Sequence, residues 1–166
     1  DGSFNITGST QADTITGGSG DDVIVGDVGD DTIVGGLGAD IMSGGEDNDI
    51  FYFSTGSEST ILTMDTVVDF ASGQDKFYFY TPPKDVITPS GYISTGTGDL
   101  KNDIDEALLS GGVQSDTVVY VVEINGVGEG NYLFYDENGD NVVGLNEIVI
   151  NLGDNADNIL TASDFI

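Results

Sequence analysis

The chain contains no cysteine and no histidine, and it has only three basic residues against 30 acidic ones. The missing thiols and imidazoles exclude ordinary zinc and copper sites, cysteine nucleophiles and histidine bases. The net charge of −27 excludes nucleic acid as a partner, because phosphate binding requires a basic surface. These absences leave carboxylates as the main chemically active groups of the protein.

Long apolar runs are also absent. No stretch of about 20 apolar residues occurs, so the sequence predicts no membrane span. The lack of cysteine is compatible with a secreted bacterial protein that has no disulfides. The chain begins at Asp1 with neither a methionine nor a signal peptide, and we expect an excised or processed fragment. Its 166 residues are enough for one or two domains.

A nonapeptide that recurs five times between Gly8 and Tyr52 dominates the first third of the sequence. The copies read GSTQADTIT, GGSGDDVIV, GDVGDDTIV, GGLGADIMS and GGEDNDIFY. Every copy starts with glycine, and its sixth position is always aspartate: Asp13, Asp22, Asp31, Asp40 and Asp49. The eighth position is always large and apolar: Ile15, Ile24, Ile33, Met42 and Phe51. Such a fixed period predicts a regular coil.

Each copy is interpreted as six turn residues followed by three strand residues. Because side chains alternate along a strand, only the residue at the eighth position points inwards. Two copies of nine residues then make one 18-residue coil of a parallel β-roll. Odd copies stack on one side of this roll and even copies on the other, with coils roughly 4.8 Å apart.

The aspartates form two ladders in this arrangement, one from the odd copies and one from the even copies. Carboxylates at that spacing repel each other by on the order of 3 kcal/mol per pair at an effective dielectric constant of about 20. A divalent cation between successive coils reverses the sign of this interaction. The available ligands are carboxylates and turn carbonyls, and hard oxygen ligands on an irregular loop suit calcium better than magnesium.

The repeat resembles the calcium-binding nonapeptide of RTX proteins, GGxGxDxUx. The resemblance implies that calcium lies between turns n and n+2, held by the aspartates at position six and by turn carbonyls. It places complete sites between Asp13 and Asp31, between Asp22 and Asp40, and between Asp31 and Asp49. The turn glycines implied in these sites are Gly17, Gly20, Gly26, Gly29, Gly35 and Gly38. A Gly/Asp-rich linker without metal is the alternative interpretation.

Three positions depart from the RTX pattern. Gln11 and Asp47 replace the glycine at position four of the first and last copies, and Asp27 replaces the glycine at position two of the third copy. The resemblance is therefore weakest for the sites at the two ends of the repeat block.

The period of nine ends after Tyr52, and apolar β-branched segments separated by Gly, Asp, Asn and Pro follow. The predicted strands are 50–53, 66–69, 76–80, 117–124, 131–135 and 147–151. One helix is predicted from Asn102 or Asp103 to Gly111. We expect an all-β fold, with a parallel β-roll domain at 1–56 and an antiparallel β-sandwich-like capping domain with one short helix at 57–166.

The segment Asp65–Phe79, DTVVDFASGQDKFYF, resembles the DxxxDFxxGxDK segment that follows the repeats in serralysin-like proteases and other RTX proteins. Its residues predict a hairpin in which Phe70 packs inwards, Gly73 turns the chain and Asp75 caps the turn. The alternative is a further calcium site with the ligands Asp65, Asp69 and Asp75.

A second calcium motif is the segment DENGDNVVGLNE, residues 136–147. Its oxygen-bearing groups match positions one, three, five, seven and twelve of an EF-hand loop: Asp136, Asn138, Asp140, the carbonyl of Val142, and Glu147. Asn141 replaces the glycine at position six, and asparagine also tolerates the left-handed conformation. The flanking residues are typical of strands, so we expect an EF-hand-like loop between strands. The alternative is a hairpin turn rich in Asp and Asn.

The last three residues, Asp164, Phe165 and Ile166, resemble the C-termini of type I secretion substrates. In those substrates an uncleaved signal often ends with aspartate and hydrophobic residues. The resemblance implies a type I exporter as a partner, an extracellular or cell-surface location, and a secretion signal within the predicted C-terminal domain.

Together these features favour a non-enzymatic calcium-binding module that folds on calcium outside the cell and supports type I secretion of a larger protein. The alternative is a calcium-dependent structural part of an S-layer or adhesin, in which calcium mediates self-association. Catalysis within the chain is disfavoured, because it has no histidine, cysteine or GxSxG motif and calcium already explains the carboxylates. An alginate-epimerase accessory module has a similar layout, but binding a polyanion requires cations that this chain lacks.

Overall fold

The computed structural model is nearly all-β, and it describes residues 2–87, 93–94, 101, 117–123, 130–136, 147–153 and 160–166. Its first eight strands form a roll of two parallel sheets. The first sheet contains, in this order, β1 (Asn5–Thr7), β3 (Val23–Val28), β5 (Ile41–Glu46) and β7 (Asp65–Val67). The second sheet contains β2 (Thr14–Gly18), β4 (Thr32–Gly36), β6 (Ile50–Phe53) and β8 (Lys76–Phe79).

The strand register confirms the predicted stacking of alternate copies. In the second sheet Ile33 lies between Ile15 and Phe51, so copies one, three and five form one stack. In the first sheet Ile24 lies beside Met42, which stacks copies two and four. Each coil in this part of the roll therefore takes 18 residues. The parallel β-roll expected from the period is the observed fold.

The roll continues beyond the fifth copy, although the nonapeptide does not. Strand β7 pairs with β5 in the register Ile41–Thr66, and β8 pairs with β6 in the register Ile50–Lys76. These partners are 25 and 26 residues apart rather than 18, because segment 54–64 forms a longer connection between β6 and β7. The predicted hairpin is wrong: β7 and β8 belong to different sheets, and together they form the next coil.

The inward side chains explain why these two strands pair with the roll and not with each other. Val67 extends the apolar column of the first sheet and Phe77 extends that of the second, and both are fully buried. Phe70 packs inwards as predicted, with its ring centroid 4.3 Å from that of Phe77. Burying one such side chain stabilises the folded state by about 1.5–3 kcal/mol. An isolated hairpin would leave Val67, Phe70 and Phe77 exposed and would lose this contribution.

The C-terminal strands extend the first sheet. Strand β13 (Ile148–Asn151) pairs in parallel with β7, and β12 (Gly130–Asp136) and β11 (Thr117–Glu123) follow in antiparallel order. Strands β9 (Asp85–Ile87) and β10 (Ile93–Ser94) pair in parallel with β11. All the predicted strands are observed, whereas β1, β9 and β10 have no counterpart in the prediction. The predicted helix lies outside the described residues.

The division into two domains at residue 56 remains a prediction. The roll and the antiparallel strands share one continuous sheet, in which Asn151 of β13 lies beside Thr66 of β7. In the ranges that the structure describes, no helix combines the length and the apolar character needed to cross a membrane.

In the described residues one hydrophobic core fills the roll and reaches the adjoining sheet. Its inward residues are aliphatic in the first coils and aromatic towards β8. The aromatic part is formed by Phe51, Phe53, Phe70, Phe77, Phe79, Tyr135 and Phe165. Phe79 and Tyr135 join the roll to the antiparallel strands, because their rings stack with centroids 5.0 Å apart. The hydroxyl of Tyr135 donates to the carbonyl of Thr81 at 2.7 Å, so the polar end of the ring is satisfied.

Glycines at the second position of the repeat allow the turns to stack closely. Gly36 has a φ of 102°, and a methyl group built on it would overlap the carbonyl oxygen of Gly18 in the preceding coil. Gly18 has a φ of 130°, but a methyl group there would meet open space. Asp27 occupies the second position of the third copy with a φ of 88°, so this departure from the pattern keeps the left-handed conformation.

Gly36→Ala is expected to destabilise the protein much more than Gly18→Ala. Both changes place an alanine at positive φ, which costs about 1–2 kcal/mol. Only Gly36→Ala also brings a methyl group against a backbone oxygen of the neighbouring coil. Urea unfolding of both variants under identical conditions measures the difference, and equal losses would contradict the close stacking of these two turns.

Candidate metal centre

The aspartates at position six are joined from coil to coil by hydrogen bonds. Oδ1 of Asp31 accepts the backbone N–H of Asp13 at 2.7 Å, and Oδ1 of Asp49 accepts that of Asp31 at 2.9 Å. On the other side of the roll, Oδ1 of Asp40 accepts the N–H of Asp22 at 2.8 Å. The carboxylates therefore stand in two ladders along the roll, as the period predicts.

Asp65 and Asp75 extend the two ladders by one step each. Oδ1 of Asp65 accepts the N–H of Asp40 at 2.9 Å, and Oδ1 of Asp75 accepts the N–H of Asp49 at 3.1 Å. Asp75 also accepts the N–H of Ala71 at 2.7 Å, which is the predicted cap of the turn. These two residues therefore have the same place in the fold as the aspartates of the repeat.

Asp69, the third acidic residue of this segment, has a different role. Its Oδ1 accepts the N–H of Gly44 at 2.9 Å. Its Oδ2 accepts the N–H of Gly45 at 3.1 Å and the hydroxyl of Ser43 at 2.5 Å. Both oxygens are thus occupied by donors from the junction of the fourth and fifth copies, so Asp69 closes the turn that begins the fifth copy.

Five ladder residues have a buried Oδ2 that no hydrogen-bond donor in the described part of the chain reaches. They are Asp22, Asp31, Asp40, Asp49 and Asp65. None of these residues is more than 1% exposed. A buried carboxylate oxygen without a partner is strongly unfavourable in a folded protein. A cation beside the oxygen removes that penalty, so these residues fit a metal ion.

Each of these oxygens in the repeat faces the first glycine of its own copy. A methyl group built on Gly26 would meet both Oδ2 of Asp31 and the carbonyl oxygen of Gly44 in the next coil. Gly17 has the same surroundings. These glycines therefore bring a carboxylate oxygen and a carbonyl oxygen from successive coils close together. These are the two kinds of ligand that calcium prefers.

The predicted ligand glycines at position four lie in different surroundings. A methyl group built on Gly29 would meet the backbone of Gln11, and one on Gly38 would meet the carbonyl of Gly20. Their lack of a side chain lets successive turns approach each other. Asp47 takes this position in the fifth copy with a φ of 83°, so the turn conformation survives the substitution. A ligand role for the position-four residues remains a prediction.

Two ladder residues differ from the other five, because their Oδ2 atoms already have a donor. Oδ2 of Asp13 accepts the N–H of Ser9 at 2.6 Å, and Oδ2 of Asp75 accepts that of Ala71 at 2.7 Å. These two residues are the first and last members of one ladder. The strongest cation sites are therefore expected in the interior of that ladder and along the other one.

Burial makes the ladder carboxylates hard to ionise in the absence of a cation. Burial, assisted by repulsion from Asp40, raises the pKa of Asp65 to about 8. Burial likewise raises the pKa of Asp49 to about 6, with repulsion from nearby carboxylates as a smaller cause. The pKa values of Asp40 and Asp75 are raised mainly by burial as well. A bound divalent cation acts in the opposite direction, because it stabilises the ionised form.

The EF-hand-like segment connects two antiparallel strands, as predicted. Asp136 ends β12, Glu147 immediately precedes β13, and both residues are buried. The other predicted ligands, Asn138, Asp140 and Val142, lie outside the described residues. Among the residues that the structure does describe, no group of three or more histidine, cysteine or acidic side chains is placed to hold a metal ion. The candidate sites of the roll depend instead on carboxylate and carbonyl oxygens together.

The three residues predicted as a secretion signal are part of the folded structure. Asp164 and Phe165 are buried, and Ile166 is exposed. They lie beside β8 of the roll, where Phe165 forms a bridge to Phe77.

Comparison with known proteins agrees with this fold. Residues 2–86 match the family described as Peptidase M10 serralysin C terminal. Among solved structures, the chain is similar to the AlgE6R3 subunit of the mannuronan C5-epimerase of Azotobacter vinelandii, with 21% identity and a TM-score of 0.63. That match covers 99% of this chain and 77% of the other. The AlgE6R2 subunit of that enzyme matches with 24% identity and a TM-score of 0.48, over 97% of this chain and 91% of the other. No curated protein matches the sequence.

Proposed function

This chain belongs to the serralysin C-terminal family of the M10 peptidases, an RTX-type calcium-binding and non-catalytic domain, and we propose that it is a calcium-dependent folding module. In this proposal it folds around calcium outside the cell and supports type I secretion of a larger protein. The observation that carries the proposal is the set of five buried carboxylate oxygens that lack a hydrogen-bond donor in the described residues.

The proposed calcium ligands are the Oδ2 atoms of those five aspartates and carbonyl oxygens of the stacked turns. Residues 1–75 contain no basic side chain, and bound calcium supplies the positive charge that they lack. In the folded roll one oxygen of each of these carboxylates is held by the protein itself: Oδ1 of Asp40, for example, accepts the N–H of Asp22 at 2.8 Å. This bond leaves Oδ2 directed towards Gly35, the first residue of the same copy.

The EF-hand-like loop is proposed as an additional site. Its two ends carry buried carboxylates: Asp136 is the last residue of β12, and Glu147 immediately precedes the antiparallel strand β13. Asn138, Asp140 and the carbonyl of Val142 complete the proposed ligand set. A site here would add stability to the β12–β13 connection and not to the roll itself.

The charge of the chain links calcium binding to folding and export. A net charge of −27 expands the metal-free chain by self-repulsion. Binding of calcium to the folded state alone adds directly to folding stability. With sites of the weak extracellular class, roughly 10⁻⁴ to 10⁻³ M, the chain stays unfolded at cytosolic calcium and folds in the extracellular medium. An unfolded chain is also the form that a type I exporter transports.

Calcium is expected to convert an unfolded chain into the β-rich roll. Far-ultraviolet circular dichroism of the whole chain, recorded first with a chelator and then during a calcium titration, measures this change. Magnesium at equal concentration is the control, and it should produce a smaller change because it requires a stricter octahedral geometry. A chain that is fully folded in the chelator would contradict the proposal.

A further inference from the structure

The segment Thr161–Ile166 is docked on the turn between β7 and β8. Its central residue, Asp164, is 0% exposed. Oδ1 of Asp164 accepts the backbone N–H of Gly73 at 2.9 Å, and its Oδ2 accepts the hydroxyl of Ser72 at 2.8 Å. The carboxylate therefore occupies the outer side of a turn that lies more than 90 residues earlier in the chain.

The same carboxylate also organises its own segment. Residues Ala162–Asp164 form a short 3-10 helix, and Oδ2 of Asp164 accepts the N–H of Thr161 at 2.7 Å and its hydroxyl at 3.1 Å. Burial acts to raise the pKa of Asp164, but the hydrogen bonds from Thr161, Gly73 and Ser72 outweigh it and hold the pKa below its ordinary value. The buried charge is thus compensated by donors from both segments.

A lysine at the end of one aspartate ladder adds to this compensation. The ammonium group of Lys76 donates to the carbonyl of Asp75 at 3.0 Å and lies 3.8 Å from Oδ1 of Asp164. It is one of only three basic residues in the chain. Because Asp75 is the last member of its ladder, this cation lies where the ladder ends and the docked segment begins.

The two residues after Asp164 continue the second sheet of the roll. Phe165 is 9% exposed, and its ring centroid lies 6.0 Å from that of Phe77 and 5.8 Å from that of Phe79. Phe165 forms a parallel bridge with Phe77, and the N–H of Ile166 donates to the carbonyl of Phe77 at 3.0 Å. These residues therefore cover the edge of β8 that faces away from β6.

We infer that Thr161–Ile166 is a clasp that closes the roll, and that its docking withdraws Asp164 and Phe165 from any receptor that recognises them. This inference rests on the proposed function, because the residues that an exporter would recognise are the same residues that the folded roll buries. The turn at 71–75, on which the segment docks, is stacked on the ladder through Asp75, whose Oδ1 accepts the N–H of Asp49 at 3.1 Å. In this inference the calcium-loaded roll holds the clasp docked, and an exporter recognises the clasp only when it is undocked.

The absence of cysteine from the chain allows a direct test with single introduced thiols. In the F165C variant the thiol is expected to react with a soluble disulfide reagent about a hundredfold more slowly in calcium than in chelator, because reaction requires local opening of the clasp. Ser163→Cys is the matched control: residue 163 is exposed in the folded structure, so its thiol should react at similar rates in both conditions. Equal reactivity of the F165C thiol in calcium and chelator would overturn the inference.

Hydrogen exchange of the unmodified chain covers the case in which the F165C variant fails to dock. The amide hydrogens of Asp164 and Ile166 donate to the carbonyls of Thr161 and Phe77. Slow exchange of both in calcium supports the clasp, and fast exchange in a calcium-loaded, folded roll contradicts it. Circular dichroism of the same sample separates the two proposals: if calcium changes no secondary structure the proposed function fails, whereas a folded roll with an open clasp refutes only the inference.

Discussion

Replacing Asp40 with asparagine is expected to stabilise the folded protein in chelator and to destabilise it in calcium. Asp40 is fully buried, and its Oδ2 has no donor in the described residues. In chelator the substitution removes a charge that burial and repulsion from Asp22 disfavour. In calcium it removes an anionic ligand, and the calcium concentration at the folding midpoint should rise at least about tenfold, which corresponds to about 1.4 kcal/mol.

Two titrations measure these opposite effects of Asp40→Asn. In chelator, the amount of a stabilising osmolyte needed to fold the chain should fall, because osmolytes favour the compact state. In calcium, the midpoint of the circular dichroism titration should rise. Asp13→Asn is the matched control, since Oδ2 of Asp13 already accepts the N–H of Ser9. Its effects should be smaller in both titrations. A change of the same sign in chelator and in calcium would contradict a ligand role for Asp40.

The metal-free fold is expected to become less stable as the pH rises from about 4 to about 8. Burial raises the pKa of Asp65 in the folded state to about 8, whereas an unfolded aspartate has a pKa of about 3.9. The folded state therefore binds the proton more tightly. Its stabilising contribution is complete below about pH 4 and is lost as the pH passes through the folded-state value, at a cost on the order of 5 kcal/mol.

Osmolyte-induced folding in chelator at a series of pH values measures this loss. Asp65→Asn is the matched control, because it removes the titrating group and keeps an oxygen that can accept the N–H of Asp40. The variant should show a flatter dependence, particularly above about pH 7, one unit above the pKa of about 6 for Asp49, where that group has completed most of its own titration. In calcium the dependence should reverse, since only ionised carboxylates bind the ion. Metal-free stability that rises with pH across this window would refute the assignment of Asp65 to the ladder.

The repeat contained enough information to predict the roll. Glycine at position one, aspartate at position six and an apolar residue at position eight recur with one spacing, and this spacing sets the alternation of sides and the register. The turn and strand preferences of each copy match its place in the roll, because each coil repeats the contacts of the coil before it. The stacking of Ile15, Ile33 and Phe51 follows directly from the count of residues.

The continuation of the roll could not be read from the spacing. A coil of 25 or 26 residues contains segment 54–64, which hides the equivalence of Asp65 and Asp75 with the aspartates of the repeat. The apolar pattern of β7 and β8 is equally typical of a hairpin, and only the columns of buried residues in the neighbouring coils select the parallel partners. Val67 and Phe77 are therefore placed by the rest of the core and not by their own sequence.

Details of the candidate site depended on backbone geometry that a sequence does not display. All five aspartates of the repeat could be predicted, but not that Asp13 differs from the others. That difference arises because the N–H of Ser9 reaches Oδ2 of Asp13. The docking of Asp164 on Gly73 was hidden for a similar reason, since it joins residues 91 positions apart without any local signal.

Diffraction from crystals grown in millimolar calcium tests the central claim most directly. A long-wavelength anomalous difference map should show calcium beside the Oδ2 atoms of the five aspartates that lack a donor: Asp22, Asp31, Asp40, Asp49 and Asp65. Asp13 should show weaker density or none. A map in which these positions are empty while the coils remain stacked would contradict the account, because the roll would then bury its carboxylates without a cation.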